Sequence, residues 1–136
     1  KATRLRRVLG RARVSVLSYW ATWCKPCTSP EELALLRSLR KRLRHYHGQV
    51  VSFAVDGLDA VEQDSRANTW LYPIIQKDKG HLETLPEGLV RSGVGLPLFV
   101  VADQRGRVHW VRKGRLDDDV LSDLITVVAR VAGGYR

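Results

Sequence analysis

The spacing of apolar residues in the first part of the chain predicts a strand, an amphipathic helix and a second strand. Residues 13–20 alternate basic, small and apolar side chains, as a strand does. From Thr28 to about Tyr46, leucines recur at intervals of three and four while Arg and Lys fill the opposite face, which predicts an amphipathic helix that ends at Gly48. Residues 50–55 form a second short apolar run. We expect the two strands of this unit to be parallel.

The same reasoning predicts a hairpin and a final helix in the last third of the chain. Apolar runs at 98–102 and 108–111 flank the turn sequence Asp103-Gln104-Arg105-Gly106, which indicates an antiparallel hairpin. Three aspartates, residues 117–119, then stand where a helix N-terminus favours negative charge. The predicted buried stripe of that helix is Val120, Leu121, Leu124, Val127, Val128 and Val131.

The middle of the chain is less regular. Residues 59–68 carry a weak helical pattern, and residues 71–75 read as a short strand before the turn at 77–80. Residues 81–95 contain one proline and three glycines, which predicts irregular chain with at most one helical turn.

Length and composition favour one ordinary globular domain spanning residues 1–136. The chain is 44% hydrophobic and 27% charged, enough for a core of its own. No run reaches the roughly eighteen apolar residues of a membrane span. The chain starts at Lys1 without a signal-like segment, so we expect targeting information to be absent or removed.

A formal net charge of +9 is concentrated in two places. One is a basic N-terminal segment, residues 1–12, and the other is the run from Arg37 to Arg44. Such patches are either solvated surface or a contact with an acidic partner protein or an anionic membrane surface. A nucleic-acid partner is not expected, because no base-stacking aromatic side chains are interleaved with the charges.

Two cysteines, Cys24 and Cys27, lie between the first predicted strand and the helix, and the chain has no other cysteine. A cysteine at a helix N-terminus has a lowered pKa, because unpaired backbone N–H groups and the helix dipole stabilise its thiolate. Lys25 adds a positive charge, and Pro26 suits a first helical turn. This placement predicts a redox dithiol with Cys24 as the nucleophile and Cys27 as the resolving thiol.

The motif Trp20-Ala21-Thr22-Trp23-Cys24-Lys25-Pro26-Cys27 resembles the active-site sequence of the TlpA-like thiol-disulfide oxidoreductases of the thioredoxin superfamily. The segment from Gly93 to Val101, with its Gly-Leu-Pro, and the hairpin turn at 101–108 are also similar to that family. The resemblance implies an α/β thioredoxin fold with a central mixed sheet flanked by helices. It further implies a TlpA-type insertion, residues 56–80, between the βαβ and ββα halves.

The resemblance assigns further site residues. Pro97 is expected to be the family's cis-proline beside the dithiol, leaving the backbone of Leu96 free to pair with an extended substrate peptide. Trp23, Lys25 and Pro26 are expected to contact substrate, while Trp20 is expected to lie in the core.

The sequence departs from related proteins at two positions that carry acids. Thioredoxins have a buried acid six residues before the first cysteine, where this chain has Ser18. TlpA-like members often have an acid three residues after the second cysteine, where this chain has Pro30. Glu31 is the candidate proton acceptor for Cys27, with the alternative that it only favours the helix start.

The predicted activity is reduction of disulfide-containing protein substrates: the Cys24 thiolate attacks, and Cys27 resolves the mixed disulfide. By resemblance, the site is extracytoplasmic, in the bacterial periplasm, with or without a since-removed N-terminal anchor. Electrons would come from a membrane-embedded thiol reductant. No cofactor beyond the disulfide and no metal are expected. The alternatives are an isomerase or oxidase, which Lys25 favours by stabilising the thiolate, or a non-enzymatic copper-binding module using Cys24 and Cys27.

Overall fold

The central element of the fold is a mixed five-stranded sheet in the order β3-β2-β1-β4-β5. The structure, a computed structural model, describes residues 5–21, 24–54, 74–76 and 96–133. The strands are β1 (Val14–Trp20), β2 (Gly48–Ala54), β3 (Ile74–Gln76), β4 (Leu98–Asp103) and β5 (Val108–Lys113). The helices are α1 (Leu5–Leu9), α2 (Lys25–Thr28), α3 (Pro30–Leu43) and α4 (Asp118–Gly133), with a 3₁₀-helix at Arg44–Tyr46.

Strand β1 lies at the centre of the sheet and is buried along its whole length. It pairs with β2 in parallel and with β4 in antiparallel orientation, and β4 pairs with β5 as a hairpin. Both predicted pairings, the parallel unit and the antiparallel hairpin, are therefore confirmed. Strand β3, which is parallel to β2, overlaps the predicted strand at 71–75 in its last two residues, and residues 71–73 lie outside the described ranges.

The two faces of β1 are covered by different helices. Val14, Val16 and Trp20 join the cluster formed with α3 and α4, while Leu17 and Tyr19 pack with Val8 and Leu9 of α1. Helix α1 is also tied to the sheet because Gln49 Nε2 donates to the Val8 carbonyl at 2.7 Å. Coverage of both faces explains why the strand is continuously buried.

The amphipathic helices follow the predicted patterns with one exchange. All four leucines of the α3 stripe are buried: Leu33, Leu36, Leu39 and Leu43. In α4, the prediction of Val127 as a core residue is wrong, because Val127 is only partly buried and Ile125 is buried instead. The other five predicted core positions of α4 are confirmed.

Gly48 has a different role from ending the helix. The turn out of the 3₁₀-helix is made by His47, whose φ is 54°, in the left-handed region. Gly48 begins β2, and a Cβ there would meet Val14 Cγ1 at 3.0 Å and the Leu43 carbonyl oxygen at 3.3 Å. The glycine therefore permits close approach of β2 to β1.

Several predictions fall on residues outside the described ranges. The insertion at 56–80 is described only at residues 74–76, and the weak helix at 59–68 and the irregular segment at 81–95 lie outside altogether. They stay predictions, as does the expectation that the whole chain forms a single domain. Within the described residues, no helix is both long and apolar enough to cross a membrane.

Candidate active site: the Cys24–Cys27 disulfide

Cys24 and Cys27 form a disulfide at the carboxyl end of β1. Cys24 is the N-cap of α2, and its Sγ accepts a hydrogen bond from the Cys27 backbone N–H at 3.2 Å. Pro26 occupies the first turn of α2, where no intrahelical acceptor waits for an N–H. The predicted placement of the first cysteine at a helix start is confirmed. A thiolate formed at Cys24 on reduction would have the same N–H as a donor.

The disulfide lies on the edge of the hydrophobic core. Cys24 is 5% exposed and Cys27 is 2% exposed, and both belong to the cluster that contains Trp20 and Ala21. Thr28, also buried, donates its hydroxyl to the Cys24 carbonyl at 3.0 Å and so links the ends of the short helix α2. Both cysteines are therefore almost fully covered in the disulfide form, and Cys27 is the less exposed of the two.

Trp20 supports the strand end that delivers the disulfide. It is 1% exposed, and its indole N–H donates to the hydroxyl of Ser52 on β2. The prediction that Trp20 is a core residue is confirmed. Ser18, which stands where thioredoxins have an acid, is buried on the same strand.

The segment Leu96-Pro97 lies beside this strand end. The Leu96–Pro97 peptide bond is cis, and Pro97 directly precedes β4. Because Tyr19 is opposite Leu98 in the antiparallel register, the next step along the pair sets Pro97 beside Trp20, where β1 leads into the Cys24 loop. Leu96 is half-buried and packs against the cluster that contains the disulfide. The Pro97 carbonyl accepts from the Gly114 N–H at 2.8 Å.

The structure describes some of the residues that are predicted to contact substrate. Lys25 and Pro26 are exposed next to the disulfide, and Trp23 lies outside the described residues. Their roles, and that of Leu96, stay predictions. The metal and cofactor expectations also stay untested, although the described residues contain no group of three or more His, Cys, Asp or Glu gathered for metal binding.

The structure separates the two neighbouring glutamates at the start of α3. Glu31, the predicted proton acceptor, is exposed, whereas Glu32 is 1% exposed. The Glu32 carboxylate accepts from the Leu116 backbone N–H, at 3.1 Å to Oε1 and 3.4 Å to Oε2. Sequence reasoning missed Glu32, because a carboxylate in a first helical turn is ordinarily explained by the helix dipole.

The surroundings of Glu32 change its acidity. Burial raises the pKa of Glu32 from its ordinary 4.5 to about 7, and the Leu116 hydrogen bond and the positive charge of Arg115 offset only part of that effect. Ser29 fixes the position of this residue, since its hydroxyl caps α3 by accepting from the Glu32 N–H at 3.2 Å. A buried carboxyl group with a pKa of about 7 therefore lies in the first turn of α3, the helix that follows Cys27 in the chain.

Comparison with known proteins identifies the architecture. No protein-family model and no curated protein sequence matches the chain. A thiol:disulfide interchange protein of the thioredoxin family from Chlorobium tepidum is 19% identical, with a TM-score of 0.61, covering 98% of this chain and 93% of that one. The chain has a thioredoxin fold. The resemblance inferred from the sequence motifs is thus confirmed at the level of the fold.

Two further solved structures share this thioredoxin fold. A DsbF homologue from Corynebacterium diphtheriae is 27% identical, with a TM-score of 0.58, over 85% of this chain and 70% of that one. A secreted thiol-disulfide isomerase from Corynebacterium glutamicum is 23% identical, with a TM-score of 0.61, over 88% of this chain and 71% of that one. In this chain, the shared fold contains a Cys-x-x-Cys disulfide, Cys24–Cys27, after β1.

Proposed function

We propose that this protein is a TlpA-like thiol-disulfide oxidoreductase that reduces disulfides in partner proteins. The observation that supports this best is the Cys24–Cys27 disulfide at the N-cap of α2, with an N–H aimed at the Cys24 sulfur and Pro97 at the adjacent strand start. The similar thiol:disulfide interchange and isomerase structures support the same reaction class.

The reaction begins from the reduced dithiol. The Cys24 thiolate attacks one sulfur of the substrate disulfide, forming a mixed disulfide and releasing the other substrate sulfur as a thiolate. Cys27 then loses its proton and attacks the Cys24 sulfur, which releases the second substrate thiolate and re-forms the Cys24–Cys27 bond. Two electrons pass from the protein to the substrate, and an external thiol reductant must return them.

The proton acceptor for Cys27 is Glu32 in this proposal, in place of Glu31. Glu31 is exposed to solvent, whereas Glu32 is buried, as Cys27 is. A buried carboxyl with a pKa of about 7 can accept and release one in the working range. Glu32 and Cys27 are both buried and lie on consecutive helices separated by Ser29.

The setting belongs to the proposal as well. We expect the protein to work outside the cytoplasm, in the bacterial periplasm, with a membrane-embedded thiol reductant as donor. The Cys24–Cys27 pair serves as its own redox group without a further cofactor. The name of the secreted isomerase from Corynebacterium glutamicum is consistent with an extracytoplasmic role.

The activity is tested by reduction of insulin disulfides with dithiothreitol as electron donor. We expect Cys24→Ser to lower the rate by more than about 100-fold, because the attacking thiolate is lost. Cys27→Ala should accumulate a mixed disulfide on Cys24, visible by mass spectrometry. A Cys24→Ser protein as active as the parent chain would refute the proposal.

The direction is tested by the reduction potential of the pair in dithiothreitol and glutathione buffers, measured from the thiol–disulfide state by mass spectrometry. A value near about −270 mV supports a reductase. A value of about −180 to −120 mV would instead assign an isomerase or oxidase.

A further inference from the structure

The end of the sheet opposite the disulfide is densely basic. Strands β1 and β2 begin there and β4 ends there, since Val14 is the register partner of both Gly48 and Asp103. The exposed arginines at this end come from four separate parts of the chain and define what we call the basic pole: Arg11, Arg13, Arg44, Arg105, Arg107 and Arg130. His45 and His47 are exposed on the same end.

Hydrogen bonds hold these separate segments together. The Arg13 N–H donates to the His47 carbonyl at 3.0 Å, which joins the start of β1 to the start of β2. Gln104 Nε2 donates to the Gly10 carbonyl at 2.9 Å, which joins the β4–β5 turn to the loop before β1. The cationic side chains therefore extend from a fixed backbone.

A cavity of about 400 Å³ opens between three of the arginines. It is lined by Arg13, Asp103, Gln104, Arg105, Arg107 and Ala132. Guanidinium groups match the geometry of phosphate and carboxylate oxygens through paired N–H donors. A cavity of this size with arginines on several sides can receive a phosphate group.

The cavity is lined by one acid, Asp103, which offsets part of the positive charge of the three arginines. Asp103 is 1% exposed, and its carboxylate accepts from the backbone N–H groups of Arg105 and Arg107, each at 2.9 Å. It also pairs with His109 Nε2 at 2.9 Å and with Arg107 Nε at 3.3 Å. Asp103 is thus buried and bonded within the β4–β5 hairpin, while Arg107 remains 60% exposed despite the pairing.

Acidic side chains are segregated along the molecule, whereas basic ones occur at both ends. Apart from Asp103, the acids among the described residues lie in the first turn of α3 and around the first two turns of α4. Both helix starts are at the disulfide end of the sheet, because α3 follows α2 and α4 follows the end of β5 that pairs with Leu98. At the basic pole, the described surface therefore presents one sign of charge.

In the part of the chain that the structure describes, the pole presents few of the side chains that stabilise most protein–protein contacts. Stable interfaces are centred on buried aromatic or aliphatic anchors. Among the described residues, the large hydrophobic side chain that is exposed is Val111 on β5, away from the pole. A surface that acts almost wholly through charge fits a lipid headgroup layer better than a folded partner.

We infer that the basic pole binds an anionic membrane surface, with a phosphodiester headgroup entering the cavity between Arg13, Arg105 and Arg107. Several arginines spread over one end face meet several headgroups at once, and each adds to the attraction. Strand β1 spans the distance between the pole and the Cys24 loop, about 20 Å for seven residues. The membrane-bound protein would then present its disulfide to partner proteins away from the lipid, and it would have to release the surface to be re-reduced by the membrane-embedded donor.

The test is co-sedimentation of the oxidised protein with vesicles of equal parts phosphatidylcholine and phosphatidylglycerol, compared with phosphatidylcholine alone. We expect binding only to the anionic vesicles, lost at roughly 0.5 M salt. Arg13→Gln/Arg105→Gln should weaken binding by about 10- to 30-fold, since each cation near the surface contributes about fivefold. The matched control is Arg112→Gln/Lys113→Gln, which removes the same charge from exposed positions at the disulfide end. It should change binding by less than about threefold.

Several outcomes would overturn the inference. Equal weakening by the two double variants would mean that net charge alone attracts the protein. Absence of binding to the anionic vesicles would also overturn the inference, whether or not inorganic phosphate, poly-glutamate or a DNA duplex binds instead. Both double variants should keep the parent rate of insulin reduction, which shows that they fold.

Discussion

The two ends of the sheet each bury a carboxylate, and the protein bonds the two carboxylates differently. At the basic pole, Asp103 accepts from two backbone N–H groups and pairs with an imidazole and a guanidinium. At the disulfide end, Glu32 accepts from the single N–H of Leu116 among the described residues. At Glu32, burial outweighs the Leu116 hydrogen bond and raises the pKa to about 7. The first arrangement builds a rigid turn, and the second provides a group that can exchange a proton.

The largest expected effect comes from removing the well-bonded carboxylate. Asp103→Ala leaves the N–H groups of Arg105 and Arg107 without their side-chain acceptor, so we expect the free energy of unfolding to fall by about 3 kcal/mol. Urea denaturation measures this. Asp123→Ala, at an exposed position on α4, is the control and should cost less than about 0.5 kcal/mol. A similar loss in both variants would show that the Asp103 bonds are not special.

Glu32 should make the free energy of unfolding depend on pH. Its pKa is higher in the folded state than the ordinary 4.5, so folding favours the protonated form. The stabilisation is complete below pH 4.5 and is lost as pH rises to about 7. The parent chain should therefore lose about 1 to 3 kcal/mol across this window relative to Glu32→Gln.

Equilibrium unfolding at several pH values checks this expectation, with Glu31→Gln as the control at the exposed neighbouring position. The same variants test the proton-acceptor role. Glu32→Gln should alter the pH profile of insulin reduction, and Glu31→Gln should not. If the two profiles responded alike, Glu32 would have no special role in proton transfer.

A smaller effect is expected from the cap that positions Glu32. Ser29→Ala removes the acceptor for the Glu32 N–H and should cost about 1 kcal/mol. Ser38→Ala, at an exposed position in the middle of α3, should be neutral or slightly stabilising. Thermal unfolding of the two variants compares them. If Ser29→Ala behaved like Ser38→Ala, the cap would make no contribution at the disulfide end.

Local pattern was sufficient for most of the fold. The leucine stripe of α3, the alternation in β1 and the turn at Asp103–Gly106 each depend on residues close in the chain, and each is observed. The errors arise where packing against an element distant in the sequence determines the role of a residue. Gly48 is at a strand start packed on Val14, and Val127 gives way to Ile125 because the packing of α4 selects its buried face.

The active-site motif was likewise evident from neighbouring residues. Cys24, Cys27 and the proline before β4 carry a resemblance that the fold confirms, and Cys24 lies at the helix start where its position after β1 predicts it. The choice between Glu31 and Glu32 was different. Both are equally good residues for a first helical turn, and only the approach of Leu116, 84 residues away in sequence, marks Glu32.

The amino-acid sequence thus specifies the Cys24–Cys27 pair at a strand–helix junction, since that motif is defined by adjacent residues. It also supplies a large positive charge, but not the place where that charge gathers. The strand register brings Arg13, Arg44 and Arg105 to one end of the sheet, and it buries Asp103 among them. Such long-range pairings depend on how β1, β2 and β4 align, so the basic pole exists only in the folded protein.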